Sequence, residues 1–406
     1  MGQLTLNGIQ TNAVKHHARR HAARWTSEYL YCQLIPYIGN KRKLLPLIQQ
    51  AIGATRALHN PQPVFLDAFA GSGVVSRLAK AMGFRVISND WEPYAYEINS
   101  AFVGCNEPPE FARLGGMEAA FAMLNSLPPV EGYFATNMCP ADDGNPDPEH
   151  ERMFFTHRNG SKTDAVREGM EKWDREGLIS RMEKSVLLAS LIYSVSYVSN
   201  TSGVFKGFHR GWGGASGTAL YRILSDIRLS PPEFLDNGQE NETLREDANE
   251  LVKRVGADII YLDPPYNQHQ YGSNYHILNT VALCDKPAVN PTILVNGRKT
   301  DKSAIRRDWR TERRSAYCYK QTASAAFEQL VSDCRSRWVL VSYSTDGIIP
   351  LDELVAILGK FGGTSSVSRC YKRYRVSPTR PSAEGYNREF VLILDKQGKI
   401  RGMRGS

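Results

Sequence analysis

Residues 64 to 90 read Val64-Phe-Leu-Asp-Ala-Phe-Ala-Gly-Ser-Gly-Val-Val-Ser-Arg-Leu-Ala-Lys-Ala-Met-Gly-Phe-Arg-Val-Ile-Ser-Asn-Asp90. The run from Val64 through Asp67, Ala68 and Phe69 has the character of a buried strand, and Gly71-Ser72-Gly73 makes a tight turn after it. Val74, Val75, Leu78, Ala79 and Met82 then recur at the spacing of one helix face until Gly83 ends the pattern. Phe84 to Ser88 is a second strand, closed by Asn89-Asp90. Strand, glycine turn, helix, strand and acid make one βαβ unit of an open α/β sheet, whose ligands sit beyond the carboxyl ends of its strands. Gly71 and Gly73 there allow a backbone to approach a ligand closely. Asp90 lies 19 positions after Gly71, near the ~20-residue spacing at which a second-strand carboxylate accepts ribose hydroxyl hydrogens. Together they favour an adenosine-containing cofactor. Taken without Asp90, the glycine turn reads more often as plain turn chemistry, and the missing third glycine of the dinucleotide fingerprint counts against NAD or FAD.

Outward from this unit the texture changes. Residues 1–30 form a basic, histidine-rich lead-in with little apolar periodicity, expected to be a mobile arm. From 106 to 245, Pro/Gly/Asp-rich loops alternate with charged helical stretches, as in an inserted subdomain. The α/β texture resumes with a short apolar strand at Asp258 to Leu262, followed by a strand at Trp338 to Tyr343, a helix at Leu351 to Leu358 and a last strand at Glu389 to Asp395. A basic tail covers 396–406.

Asp263-Pro264-Pro265-Tyr266 follows its strand directly. The prolines fix φ and remove two backbone donors, leaving carbonyls that only accept. Asp263 and the Pro264 carbonyl can together take both hydrogens of an exocyclic amine while the Tyr266 ring offers a stacking face, which suits methylation at an aromatic amino nitrogen. S-adenosyl-L-methionine is a potent methyl donor, so in-line positioning does most of the chemistry. A rigid Asp-initiated turn at a strand end is the plain alternative.

With these motifs in this order, the chain resembles the class alpha adenine-N6 DNA methyltransferases (Dam-like), and within them the FokI-type methyltransferase domains. Tyr37-Ile-Gly-Asn-Lys41 looks like the family segment upstream of the glycine turn. The resemblance implies that Tyr37 packs on the cofactor and that Lys41 meets its carboxylate or steadies the catalytic loop. Phe65 to Gly73 matches the cofactor loop, Asp90 the ribose acid, Asp263 to Tyr266 the catalytic motif, and Glu246-Asp247-Ala248 the segment that receives the adenine ring of the cofactor. Arg152 to His157, Asn200 to Phe205, Gln270 to His276 and Ser342 to Gly347 also look familiar, so the likeness covers about residues 31–395. Asn40 departs from the pattern, standing where many relatives have a second glycine. The resemblance further implies that Tyr271 and Asn274 line the target pocket.

The expectation is thus a doubly wound, mostly parallel methyltransferase sheet of the Rossmann-like type. Its cofactor part spans 31–105, an inserted, mainly helical target-recognition region 106–245, and its catalytic part 246–395. An adenine flipped out of double-stranded DNA would receive the methyl group at N6. A restriction-modification context would add a cognate restriction endonuclease and a second methyltransferase as separate partners. RNA adenine or DNA cytosine-N4 methylation, or a non-catalytic DNA-binding protein keeping the fold, are the alternatives.

Composition agrees. The 406 residues are 42% hydrophobic and 23% charged, which excludes wholesale disorder. Seven scattered cysteines, never closer than 16 positions, draw neither a zinc knuckle nor a redox pair, and no metal is expected. The longest apolar run, Val186 to Val198, contains three serines and is short of the ~20 residues of a membrane span. A bacterial cytoplasmic protein follows.

The net charge of +8 is concentrated. Residues 11–27 carry four basic residues and no acid, 369–383 five and no acid, and 298–314 eight against three acids, which leaves the rest of the chain acidic. These stretches are candidate phosphate contacts, with Arg306, Arg307 and Arg310 in one and Lys372, Arg373 and Arg375 in another. Phe205-Lys-Gly-Phe-His-Arg-Gly-Trp212 interleaves rings with Lys206, His209 and Arg210, as a groove reader would. It reads as well as an ordinary loop. His276 could touch the target base or be satisfied by local hydrogen bonds.

Overall fold

The computed structural model describes residues 28–398 apart from 215–216, 218, 292, 300 and 373–385. Nine strands form: β1 (Val64–Asp67), β2 (Arg85–Asn89), β3 (Glu242–Leu244), β4 (Ile259–Leu262), β5 (Leu294–Val295), β6 (Arg298–Lys299), β7 (Trp338–Ser344), β8 (Gly363–Lys372) and β9 (Tyr386–Asp395). β5 and β6 make a separate hairpin; the others form one sheet in the order β3-β2-β1-β4-β7-β9-β8. Only β9 runs opposite to the other strands of the sheet, which is therefore mostly parallel, as the βαβ reading requires.

The chain builds outward from β1 through β2 to β3, then returns to place β4 on the other side of β1. The strand order therefore reverses between β1 and β4, where an open α/β sheet has its ligand crevice. Asp67 ends β1, Asp263 follows β4, and the two strand ends are tied where Ala68 N–H donates to the Tyr261 carbonyl at 3.1 Å.

Both faces of the sheet are covered, which is why its strands read as near-continuous apolar runs. Alternate residues serve opposite cores: Phe65, Val86, Ile259, Leu340 and Val391 face one, Leu66, Ile87, Ile260, Val341 and Leu392 the other. Helices Leu45–Thr55 and Val74–Ala81 and the helices of the β2–β3 connection cover the first; Ala248–Leu251, Ala323–Asp333 and Leu351–Gly359 cover the second. That connection holds two long helices, His157–Arg175 and Arg181–Val198. The second starts with a capping box: Glu183 N–H donates to the Ser180 hydroxyl at 3.3 Å, and Ser180 N–H to the Glu183 carboxylate at 2.6 Å. Its apolar run from Val186 is buried in the core. Tyr29 and Leu30 are buried as well, so packed structure begins slightly ahead of Tyr31.

Four strands went unread in the sequence, among them the two-residue β5 and β6 of the separate hairpin. β3 is three residues long, and β8, with several serines, has little apolar content to mark it.

Candidate active site

Gly71 and Gly73 adopt φ of +52° and +78°, the left-handed region that favours glycine. Their missing side chains are also a packing requirement. A Cβ on Gly71 would stand 2.7 Å from the Tyr37 ring, and one on Gly73 2.5 Å from the Asn99 amide oxygen. Asp90 closes the turn from β2, accepting from Gly71 N–H at 2.8 Å and from Glu92 N–H at 2.9 Å. Burial pushes its pKa up to about 6 against these two donors. Asp67 accepts from the Ser76 hydroxyl at 2.7 Å, and burial lifts it to about 7. Its Oδ1 is buried without a hydrogen-bond partner.

The catalytic turn lies across the same cleft. Lys41, 3% exposed, pairs with Asp263 at 3.0 Å and stands 5.0 Å from the Tyr266 ring centroid. Burial disfavours the Lys41 charge, but Asp263, Tyr266 and Glu389 outweigh it and hold its pKa above the ordinary lysine range. Burial raises Asp263 against the pull of Lys41. The segment that delivers Lys41 is shaped for this contact: Gly39, at φ +74°, has its Cα face against the Tyr266 hydroxyl, and Asn40 caps the following turn by accepting from Arg42 N–H at 2.7 Å. With φ −52°, Asn40 needs no glycine, which explains the departure at that position.

Tyr37 stacks on Tyr275 at 4.9 Å and meets Tyr271 at 5.2 Å. The Tyr271 hydroxyl donates to the Ile38 carbonyl at 3.0 Å, and Ile38 N–H donates to the Tyr275 hydroxyl at 2.7 Å. Tyr271 is thus a buttress of the Tyr37 segment as well as part of the cleft wall. Tyr343 packs on Tyr266 at 5.5 Å, and Ile348 N–H donates to the Tyr266 carbonyl at 3.0 Å, so the Ser342–Gly347 stretch supports the catalytic turn from behind.

One cleft of about 1100 Å³, counting its open mouth, is lined by Tyr37, Lys41, Asp67, Ala68, Phe69, Gly71, Asp90, Asp247, Asp263, Pro265, Tyr266 and Tyr271. Gly73 stands behind the wall. Asp247 caps helix Ala248–Leu251 with one oxygen, so its carboxylate has a structural duty beside any ligand contact.

The sequence reading missed a wall built from afar. Arg313 to Tyr317 line the cleft, fastened to Gln270, which donates to the Ser315 carbonyl at 3.0 Å and accepts from Ser315 N–H at 2.9 Å. Arg313 pairs with Asp308 at 2.6 Å and Glu92 at 3.4 Å. Tyr317 meets Phe69 edge-on at 5.5 Å and donates to Asn249 at 2.7 Å. No local motif marks these residues; their roles exist only in the fold.

The nucleic-acid candidates divide. His276 is buried, bonded at 2.8 Å to the Phe205 carbonyl, with its pKa lowered to about 4 by burial; of its two readings, the locally satisfied one holds. Asn274 is 1% exposed and supports the same loop through its carbonyl. Arg306 is a correction: its guanidinium, 6% exposed, is paired with Asp285 at 2.6 Å and Asp308 at 2.8 Å, so its charge is neutralised inside the protein. Arg307, Arg310 and Lys206 are exposed, His209 is half-buried, and Arg210 pairs with Glu149 on the surface at 2.9 Å. Two stretches far apart in sequence meet here, because Ser303 donates to the Lys206 carbonyl at 2.6 Å and Lys302 lies over Phe208 at 4.7 Å. Lys206 also stands close enough to His269, just past the catalytic turn, to help burial lower its pKa. Arg373 and Arg375 and the arm at 11–27 lie outside the described residues, as does the side chain of Lys372.

Among the described residues no helix is long and apolar enough to cross a membrane. Residues 37–330 match the family model for D12 class N6 adenine-specific DNA methyltransferases. The type II methyltransferase M.NlaIII of Neisseria lactamica is 31% identical over 363 residues, covering 89% of this chain and 99% of its own. The modification methylase LlaI of Lactococcus lactis subsp. lactis is 34% identical over 374 residues, covering 89% and 55%, and the type II methyltransferase M.FokI of Planomicrobium okeanokoites 32% over 362 residues, covering 89% and 52%. The chain thus spans nearly all of the first relative and about half of the other two.

Proposed function

The chain belongs to the D12 class of N6 adenine-specific DNA methyltransferases, and on that premise we propose that it methylates N6 of an adenine flipped out of double-stranded DNA, with S-adenosyl-L-methionine as donor. The observation that carries this is the Lys41–Asp263 pair beside Tyr266, opening on the cleft that also holds Asp90 and the glycine turn.

The cleft fits that cofactor. Asp90 has a lone pair for a ribose hydroxyl, the unpartnered Asp67 oxygen suits an ammonium, Tyr37 and Phe69 supply apolar surface, and Glu246-Asp247-Ala248 with Tyr317 frame a slot for a purine. When bound, it supplies a methyl group activated by a sulfonium. The protein positions the acceptor. Flipping costs roughly a few kcal/mol, offset by stacking on Tyr266, and Asp263 with the Pro264 carbonyl accepts the amine hydrogens. This directs the N6 lone pair out of conjugation, and the surplus proton leaves through Asp263 to solvent. Residues 106–245 serve as the target-recognition region, with Lys206, His209 and Arg210 on its DNA-facing side and Arg307 and Arg310 of the catalytic part joined to it through the Ser303–Lys206 contact. The relatives' names support a role as the modification component of a restriction-modification system, with an endonuclease and a second methyltransferase as separate proteins in the bacterial cytoplasm.

Incubation with labelled S-adenosylmethionine and unmethylated bacterial DNA should place label at adenine N6. Label at cytosine N4, in RNA, or nowhere would overturn this reading.

A further inference from the structure

Glu389 belongs to none of the catalytic or cofactor motifs, yet it lies on the face of the sheet that carries the catalytic pair. It stands near the start of β9, opposite Ser344 of β7. Side chains alternate between the faces of a strand. Val391, two residues on, belongs to the core beneath helix Leu45–Thr55, as does Tyr261, two residues before Asp263. Glu389 and Asp263 therefore point to the face that carries Lys41, from strands two spacings or about 10 Å apart. Across that gap the two carboxylates do not touch, and Lys41 is the cation nearest to Asp263. Glu389 is only partly exposed, its Oε2 is buried without a hydrogen-bond partner among the described residues, and it does not line the cleft. It can act on the reaction only through a neighbour.

We propose that Glu389 is a positioning residue that works through Lys41, fixing the ammonium in place and charged so that Asp263 stays ionised and aimed at the target amine. The electrostatics agree. Burial works against the Lys41 charge, and Asp263, Tyr266 and Glu389 restore it. Burial likewise raises Glu389 itself, Lys41 lowers it, and Asp263 and Asp346 raise it. Tyr261 and Tyr266 complete the titratable groups that Glu389 influences, and Arg369 occupies the register position opposite it on β8.

The inference rests on the catalytic reading of the Lys41–Asp263 pair, and its test separates the two. Glu389→Gln should lower kcat about tenfold with the KM for cofactor and the Kd for DNA within about twofold, and should move the alkaline limb of the kcat profile to lower pH. Glu389→Asp, which keeps the charge, should recover much of the wild-type profile. In the protein without cofactor, the Lys41 ε-carbon resonance, assigned through Lys41→Arg, should titrate earlier in Glu389→Gln than in wild type. An unmoved alkaline limb and an unmoved Lys41 titration would overturn the proposal whatever happens to kcat. A wild-type protein that labels no adenine would instead count against the catalytic reading, leaving the Lys41 titration to decide the coupling. Should Glu389→Gln fail to fold, the same measurements on Glu389→Ala apply, with a shift in the same direction expected and none overturning it.

Discussion

Lys41 and Asp263 share a buried ion pair, and removing one partner is not equivalent to removing both. Asp263→Ala strands a buried ammonium, at a cost of roughly 3 kcal/mol of stability; this is the lower end of the usual range because the Asp263 side chain is 17% exposed. Adding Lys41→Met removes the stranded charge, so the double variant should melt above Asp263→Ala although neither transfers methyl groups. Asp263→Ala should still bind DNA when assayed below its melting point. A double variant no more stable than the single would mean that Asp263 does not compensate Lys41. Asp90 gives a pH test. Its folded pKa, about 6, lies above the unfolded value near ~3.9, so its contribution to stability is complete below the unfolded value and is lost as pH rises through 6. Cofactor binding runs the other way, because the ionised carboxylate accepts from the ribose. The cofactor KM should therefore rise below pH 6 while DNA affinity does not follow, and Asp90→Ala should raise the cofactor KM more than the DNA KM and remove that pH dependence. A pH dependence that persists in Asp90→Ala would belong to Asp67 or Glu92, both lifted to about 7 by burial.

At the scale of elements, the wall Arg313–Tyr317 depends on Gln270, whose amide makes two hydrogen bonds to Ser315 in a buried setting. Each such bond is worth ~1 kcal/mol net, so Gln270→Leu should raise the cofactor KM about tenfold or more and change the DNA KM far less. Equal changes in both would show that Gln270 orders the catalytic turn and not the cofactor wall. This pair also marks where the sequence ceases to be informative. Gly71, Gly73, Asp90 and Asp263 were legible because each motif sits on one strand end, where local backbone rules place the side chain. Gln270 and Ser315 are 45 positions apart and neither has a local signature. Arg306 was misplaced, and His276 left between two readings, for a related reason. Exposure is a property of packing, and the acids that neutralise Arg306 come from Asp308 beside it and from Asp285, 21 positions away across a turn.

The whole molecule redistributes the charge that composition only totals. In the stretch 298–314, Arg306 and Arg313 point inward to Asp285, Asp308 and Glu92. Arg307 and Arg310 remain on the surface, and the loop carrying Lys206 joins them through Ser303. Gly272 ties this surface to the cleft: a Cβ there would stand 2.7 Å from Trp309 and 2.9 Å from Glu92, so the basic segment packs directly on the helix that follows the catalytic turn. Phosphate gripped by this surface would hold the duplex at the mouth of the base pocket. Every phosphate that a variant ceases to neutralise should reduce the slope of log Kd against log salt by about 0.9. Arg307→Ala and Arg310→Ala should each flatten that slope by close to this amount and together by about twice as much, with kcat on saturating DNA little changed. Arg306→Ala should behave differently, lowering the melting temperature by removing the buried guanidinium that joins Asp285 to Asp308, with Asp308 left to Arg313 alone, and leaving the salt slope of the folded protein as it was. A slope that flattened for Arg306 and not for Arg307 and Arg310 would place the DNA on another face of the molecule.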